Sequence, residues 1–218
     1  MRPPRGTVVV IAKEPVPGRV KTRLCPPFRA VEAAQLAEAA LRDTLAAVGR
    51  ARCARRVVAL DGRAGRWLPD GFDVVAQRPG GLDERLDAVL GHASGPTVVV
   101  GMDTPQITPS LLDHALAQLC DGSDAVLGPA HDGGYWLVGL ATPRPDAVRG
   151  VPMSTPRTAQ AQLARVAQLG LGYALLTPLR DVDTATDAAA VAAGAPTTAF
   201  AAALRRCTTR AAGAAAAR

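Results

Sequence analysis

Residues 7–24 read TVVVIAKEPVPGRVKTRL, and this stretch decides how the rest of the chain is read. Residues 7–12 form an apolar, β-branched run of the kind found in a strand buried on both faces of a parallel sheet. At Lys13 the pattern breaks. Pro15, Pro17 and Gly18 end the strand, and Lys13, Arg19, Lys21 and Arg23 follow within a few positions. Proline and glycine stop a strand and let backbone approach a ligand closely, while clustered cations suit an anion of high charge density. An Ala-rich helical pattern comes next. A strand, a glycine-containing basic loop and a helix together predict a phosphate site at the edge of an open α/β sheet. The predicted contacts along this loop are Ala12, Lys13, Gly18, Lys21 and Arg23, with Lys13 and Arg19 also readable as solvated charges.

The totals agree with a single α/β domain. The 218 residues carry a formal charge of +6, and only 3% are aromatic, so Val, Leu and Ala must build the core. The sequence pI near 9.8 favours phosphate-bearing partners. The aromatics that a single-strand nucleic-acid platform interleaves with its charges are absent, which argues against that class. Cys25, Cys53, Cys120 and Cys207 lie far apart, with no CxxC pair, and read as thiols in a reducing compartment. The apolar run at the N-terminus is too short for a signal-peptide core, and no segment reaches the roughly 20 apolar residues of a membrane span. A cytoplasmic protein is expected.

Working outward, residues 30–48 predict a helix with Val31, Leu36, Leu41, Leu45 and Val48 on one stripe. Strands are predicted at 56–60, 72–76, 96–101, 124–127, 135–140 and 173–176. Helices are predicted at 82–92, from Thr108-Pro109 onward, and from Ser154 or Thr155 to about 169. Thr108 is the expected cap of its helix, with Pro109 in the first turn. The strands at 124–127 and 135–140 are joined by the tight turn His131-Asp132-Gly133-Gly134, so they cannot be neighbouring parallel strands and the sheet is mixed. The core spans about 7–193, and the Ala-rich tail from 194 is expected to fray beyond Arg206.

Asp103 directly follows the most apolar strand. Ligands collect outside the carboxyl ends of such strands, and a carboxylate there needs a positive partner, so it predicts either a divalent metal, Mg²⁺ or Mn²⁺, or a basic residue beside it. The alternative is a helix cap. Asp181 and Asp183 are two apart in extended chain and so project to one side. They read either as a carboxylate pair facing the same ion or with Asp183 as the cap of the next helix. Asp187 reads as part of that helix start. The Asp132, Gly133, Gly134 and Tyr135 segment reads as substrate contact or as an ordinary turn. Gly80-Gly81 reads as a loop under a nucleotide base or ribose or as a strand-to-helix turn. Without GxGxxG or GxxxxGK[ST], neither a dinucleotide fold nor a P-loop is expected.

The segments AKEPVPGRVKTRL, GMDTP, GPAHDGGYWLVGL, STPRT and PLRDVDTATD, in that order, resemble a family of GT-A-like transferases of the domain-of-unknown-function type, associated with radical-SAM or selenodomain proteins. More distantly they are similar to the 2-phospho-lactate guanylyltransferases. The resemblance implies a three-layer nucleotide-diphospho-sugar transferase fold, GT-A and Rossmann-like, with a mixed, mostly parallel sheet. It implies metal binding at Asp103, Asp181 and Asp183, phosphate binding at Lys21 and Arg23, and an acceptor pocket at Gly133-Gly134. Two departures stand out: Thr104 separates Asp103 from Pro105, and QRPGGLDERL carries Gly81 and Asp83 where Asp and Gly are expected. The expected activity is metal-dependent nucleotidyl transfer from an NTP to a small anionic acceptor, with Lys21, Arg23 and Asp103 carrying it. Glycosyl transfer from a nucleotide-sugar is the alternative, and a non-catalytic nucleotide-binding protein is the alternative of another class.

Overall fold

A computed structural model describes residues 6–91 and 93–216, with side chains through 209. His92, the expected end of a helix, lies outside the described residues. One seven-stranded sheet runs in the order β3-β2-β1-β4-β6-β5-β7. Its strands are β1 (Thr7–Lys13), β2 (Arg55–Asp61), β3 (Asp73–Ala76), β4 (Thr97–Val100), β5 (Ala125–Pro129), β6 (Tyr135–Leu140) and β7 (Tyr173–Leu175). Strand β1 is the parallel neighbour of both β2 and β4. Its alternate residues therefore feed both faces: Val8, Val10 and Ala12 enter one core, and Val9 and Ile11 the other.

β6 is antiparallel to both β4 and β5, as the tight turn after β5 requires. The remaining pairings, including β5 with β7, are parallel. The sheet is therefore mixed and mostly parallel, in the Rossmann-like fold class expected for this chain. At the far edge, β3 is exposed along its whole length.

Helices cover both faces: α1 (Ala30–Arg50), α2 (Leu82–Gly91), α3 (Pro109–Cys120), α4 (Thr158–Gln168), α5 (Ala185–Gly194) and α6 (Ala199–Ala216). Leu41, Leu45 and Val48 of α1 pack on the sheet. Its other side meets α5 and α6, where Ala33, Leu36 and Ala40 join Val191, Phe200 and Leu204. Val31 is exposed and lies off the expected stripe. Helix α6 continues to Ala216, past the Arg206 position from which the tail is expected to fray. Asp43 of α1 holds its first turn: Oδ1 accepts from the Ala199 N–H at 2.9 Å and Oδ2 from the Phe200 N–H at 2.8 Å. Thr108 caps α3 through the Leu111 N–H, as predicted. Helix α4 begins later than predicted, at Thr158, because the Thr155 carbonyl and hydroxyl engage Thr158 and Arg157 in a preceding turn. Among the described residues no helix is long and apolar enough to cross a membrane.

Candidate active site

The chain runs from β1 outward through β2 and β3, then returns to place β4 on the other side of β1. At such a reversal the loops leaving the two strand ends diverge and leave a crevice. A cavity of about 430 Å³ occupies it. Lys13, Arg19, Lys21 and Arg23 line it together with Asp103, Asp132, Asp181 and Asp183. Ile11, Leu82, Leu86, Val138, Tyr135 and Met153 supply an apolar floor.

The basic loop is anchored at three points. The Glu14 N–H donates to the Asp61 carbonyl at 2.9 Å, and the Glu14 carboxylate accepts from the Arg63 N–H, also at 2.9 Å. Val20 is buried against Ala34 and Ala37, and Leu24 enters the cluster between α1 and α6. Between these two apolar anchors Lys21 adopts a left-handed backbone (φ 47°, ψ 41°) and opens a 3-10 turn, Thr22–Leu24. That conformation is uncommon for a residue with a Cβ and concentrates at sites where surrounding contacts over-determine it. The Lys21 ammonium lies 2.7 Å from Asp103 Oδ2 and 2.7 Å from Asp183 Oδ1. Burial alone would favour the neutral amine. The Asp103 and Asp183 carboxylates outweigh it and hold the ammonium well above the ordinary lysine value.

The acidic wall joins two distant segments. The Val182 N–H donates to the Asp103 carbonyl at 3.0 Å, and Gln106 Nε2 donates to the Arg180 carbonyl at 2.6 Å. Thr104 is fully buried, and its hydroxyl donates to Asp181 Oδ1 at 3.0 Å. Burial, then the charge of Asp103, push the Asp181 carboxyl up to about 7, against the opposing effect of the Thr104 hydrogen bond. Helix α5 is capped by Thr184, with Asp187 returning the bond to the Thr184 N–H. Capping therefore occupies neither Asp181 nor Asp183. Arg23 reaches Asp183 only at 3.5 Å and is three-quarters exposed, so that pair contributes little.

The turn after β5 shapes the far end. Gly133 has φ 89°, and a Cβ there would run into the Pro156 carbonyl, so glycine is required for the close approach. The Gly133 carbonyl accepts from the Ala159 N–H at 2.9 Å, fixing the turn to the start of α4. Asp132 Oδ1 accepts from the Gly134 N–H at 2.8 Å. Tyr135 Oη contacts Met153 Sδ at 3.4 Å, and Ser154, in the left-handed region at φ 58°, completes the rim.

Of the predicted residues, Lys13, Lys21, Arg23, Asp103, Asp132, Gly134, Tyr135, Asp181 and Asp183 line the one cavity. Ala12, Gly18, Gly80, Gly81 and Gly133 lie outside its lining. Gly81 immediately precedes α2, and its N–H donates to Glu84 Oε2 at 2.9 Å, as in the turn reading of that pair. Asp83 accepts from the Gly150 N–H at 3.0 Å and ties α2 to the loop before α4. Missed by the sequence reading were Ile11, Leu82 and Leu86, whose apolar character signalled only core, Met153, which read as part of a helix start, and Thr104, whose partner lies 77 residues away.

Among the described residues, no group of three or more His, Cys, Asp or Glu side chains is arranged to hold a metal ion. The donor chemistry still fits a hard divalent cation. Mg²⁺ is commonly held by one or two carboxylates plus substrate phosphates rather than by an all-protein cage. Asp103 and Asp183 converge on a single cation position, with Asp181 beside it.

Residues 44–155 match the family model described as "Uncharacterized protein conserved in bacteria (DUF2064)". That span covers β2 to β6, including Asp103 and the glycine turn. No curated protein matches the chain. Among solved structures, a candidate nucleotide-diphospho-sugar transferase from Desulfovibrio desulfuricans G20 is similar at 26% identity, covering 92% of this chain and 94% of that one, with a TM-score of 0.84. Rv0371c from Mycobacterium tuberculosis H37Rv, in complex with manganese, shares the fold at 20% identity and TM-score 0.52, covering 85% of this chain and 96% of that one. The 2-C-methyl-D-erythritol 4-phosphate cytidylyltransferase from Thermus thermophilus shares it at 19% identity and TM-score 0.52, covering 87% and 98%. With more than half of its length matched by the model, the chain belongs to the DUF2064 family.

Proposed function

We propose that this protein is a divalent-metal-dependent transferase acting on a nucleotide substrate, by nucleotidyl transfer from an NTP to a small phosphate- or phosphonate-bearing acceptor with release of pyrophosphate. The observation that carries this reading is the meeting of a cationic loop and a carboxylate cluster across one cavity at the sheet's switch point. Lys21 and Arg23 bind and orient the phosphates from the β1 side, with Lys13 and Arg19 adding positive potential at the rim. Asp103, Asp181 and Asp183 are the metal ligands, and Mg²⁺ or Mn²⁺ would neutralise phosphate charge there. Asp132, Gly134 and Tyr135 border the acceptor end, and the apolar floor excludes water beneath the reacting groups. The cytidylyltransferase on the same fold supports the nucleotidyl version.

Glycosyl transfer from a nucleotide-sugar is the second reading, favoured by the likeness to the Desulfovibrio protein. The same cations and carboxylates would then hold the diphosphate leaving group. Product analysis separates the two. Pyrophosphate released from an NTP supports the first, and nucleoside diphosphate released from a sugar nucleotide supports the second. Nucleotide binding without turnover on any acceptor would leave a non-catalytic binding protein.

A further inference from the structure

The cation that the Asp103 and Asp183 carboxylates share is the side chain of Lys21, at 2.7 Å from each. This geometry bears on how the site loads. A metal ion and the lysine ammonium cannot both lie between the two carboxylates, because their charges repel and the space is already within hydrogen-bond contact. The ammonium is also mostly buried, with 14% of its side chain exposed, so its bonds to the carboxylates are not weakened by solvent as surface ion pairs are. Yet Lys21 belongs to the loop that lines the other wall of the cavity with Arg19 and Arg23. An anion arriving on that wall offers the ammonium a second partner at the moment the carboxylates are offered a stronger cation.

Resting on the reading of the site as a metal-dependent phosphate site, we infer that Lys21 is a resident counter-ion that blocks the metal position until a phosphate-bearing ligand draws it away. Metal and phosphate then enter as a pair. Each ligand raises the affinity for the other by the same factor, as linkage requires. The exchange keeps the charge compensated throughout: ammonium passes from carboxylate to phosphate, and the divalent ion takes its place. Lys21 is in this sense a gate as well as a phosphate ligand, and the left-handed backbone between the Val20 and Leu24 anchors keeps it aimed at the carboxylates when no ligand is present.

Equilibrium dialysis of Mn²⁺ against the full chain tests this, counting protein-bound metal. The wild type should bind Mn²⁺ weakly alone and about tenfold or more tightly with inorganic pyrophosphate present. Lys21→Met, which removes the charge and keeps the stem, should bind Mn²⁺ alone about tenfold more tightly than the wild type, whereas Lys21→Arg should stay weak. Thermal unfolding supplies a second arm: Mn²⁺ should raise the midpoint of Lys21→Met far more than that of the wild type. If Lys21→Met does not fold, Lys21→Gln takes its place: Mn²⁺ binding without pyrophosphate about tenfold tighter than the wild type supports the gate, and binding as weak as the wild type overturns it. Tight Mn²⁺ binding to the wild type alone, unchanged by pyrophosphate, overturns the gate and leaves the metal site standing. Absence of Mn²⁺ binding in every arm overturns both.

Discussion

The Thr104 hydroxyl donates a 3.0 Å hydrogen bond to Asp181 Oδ1, joining the residue after one strand-end carboxylate to a carboxylate 77 positions later. Thr104 is fully buried, so this bond operates away from bulk water and opposes the burial that favours a protonated Asp181. Replacing it by valine keeps the shape and removes the donor. Thr104→Val is expected to lower stability by about 1–2 kcal/mol at neutral pH, and the loss should shrink in the Asp181→Asn background. Urea denaturation of the two singles and the double measures the coupling. Because Asn keeps an acceptor oxygen, strict additivity would show that the negative charge of Asp181 adds nothing to the bond.

Asp181 should make the ligand-free protein less stable as pH rises. Its carboxyl is held at about 7 in the folded chain, against an ordinary value of 3.8, by burial and by Asp103. The folded state therefore holds the proton more tightly than the unfolded one. No penalty exists below about pH 4, where both are protonated; it grows with pH and is complete above about pH 7. Asp181→Asn should be more stable than the wild type by on the order of 1–3 kcal/mol near pH 8, and equal to it near pH 4, in chelator-treated samples. A difference independent of pH would count against the shift.

Arg23 is exposed and only loosely paired, so its removal should spare the fold and report on ligand alone. Arg23→Ala is expected to weaken triphosphate binding by about tenfold, the size of one charge-assisted hydrogen bond, while nucleoside binding is unchanged. Calorimetry with a nucleoside and its triphosphate checks it. Equal losses for both ligands would remove Arg23 from the phosphate site.

Asp43 tests the docking of the last helix. Both its oxygens accept from the first N–H groups of α6, so Asp43→Ala should cost about 1–2 kcal/mol of stability. Thermal unfolding measures it. An unchanged midpoint would show that packing of Phe200 and Leu204 alone secures α6.

Much of the fold was legible in the chain because apolar runs, glycine turns and caps are local. The buried run at 97–100, the Thr108 cap and the tight turn between β5 and β6 each follow from neighbouring residues. Val31 misled because helical periodicity alone puts it near the stripe, whereas in the first turn of α1 it belongs to neither of that helix's two covered faces and is exposed. The docking of α6 was hidden for a related reason: an Ala-rich segment shows no partner in sequence, whereas in the fold Asp43 and the α1 surface receive its first turns.

The site divides along the same line. From sequence alone came the residue types: a basic loop after the first strand, an aspartate after the fourth, a late Asp-x-Asp and a glycine turn. Only tertiary structure decided their partners. It placed Lys21 between Asp103 and Asp183, gave Asp181 to Thr104, and left capping of α5 to Thr184. The physical reason is range. Backbone preferences and burial patterns are set within a few residues, whereas an ion pair depends on which strand ends the sheet order brings together, and Lys21 and Asp183 are 162 residues apart until the fold closes.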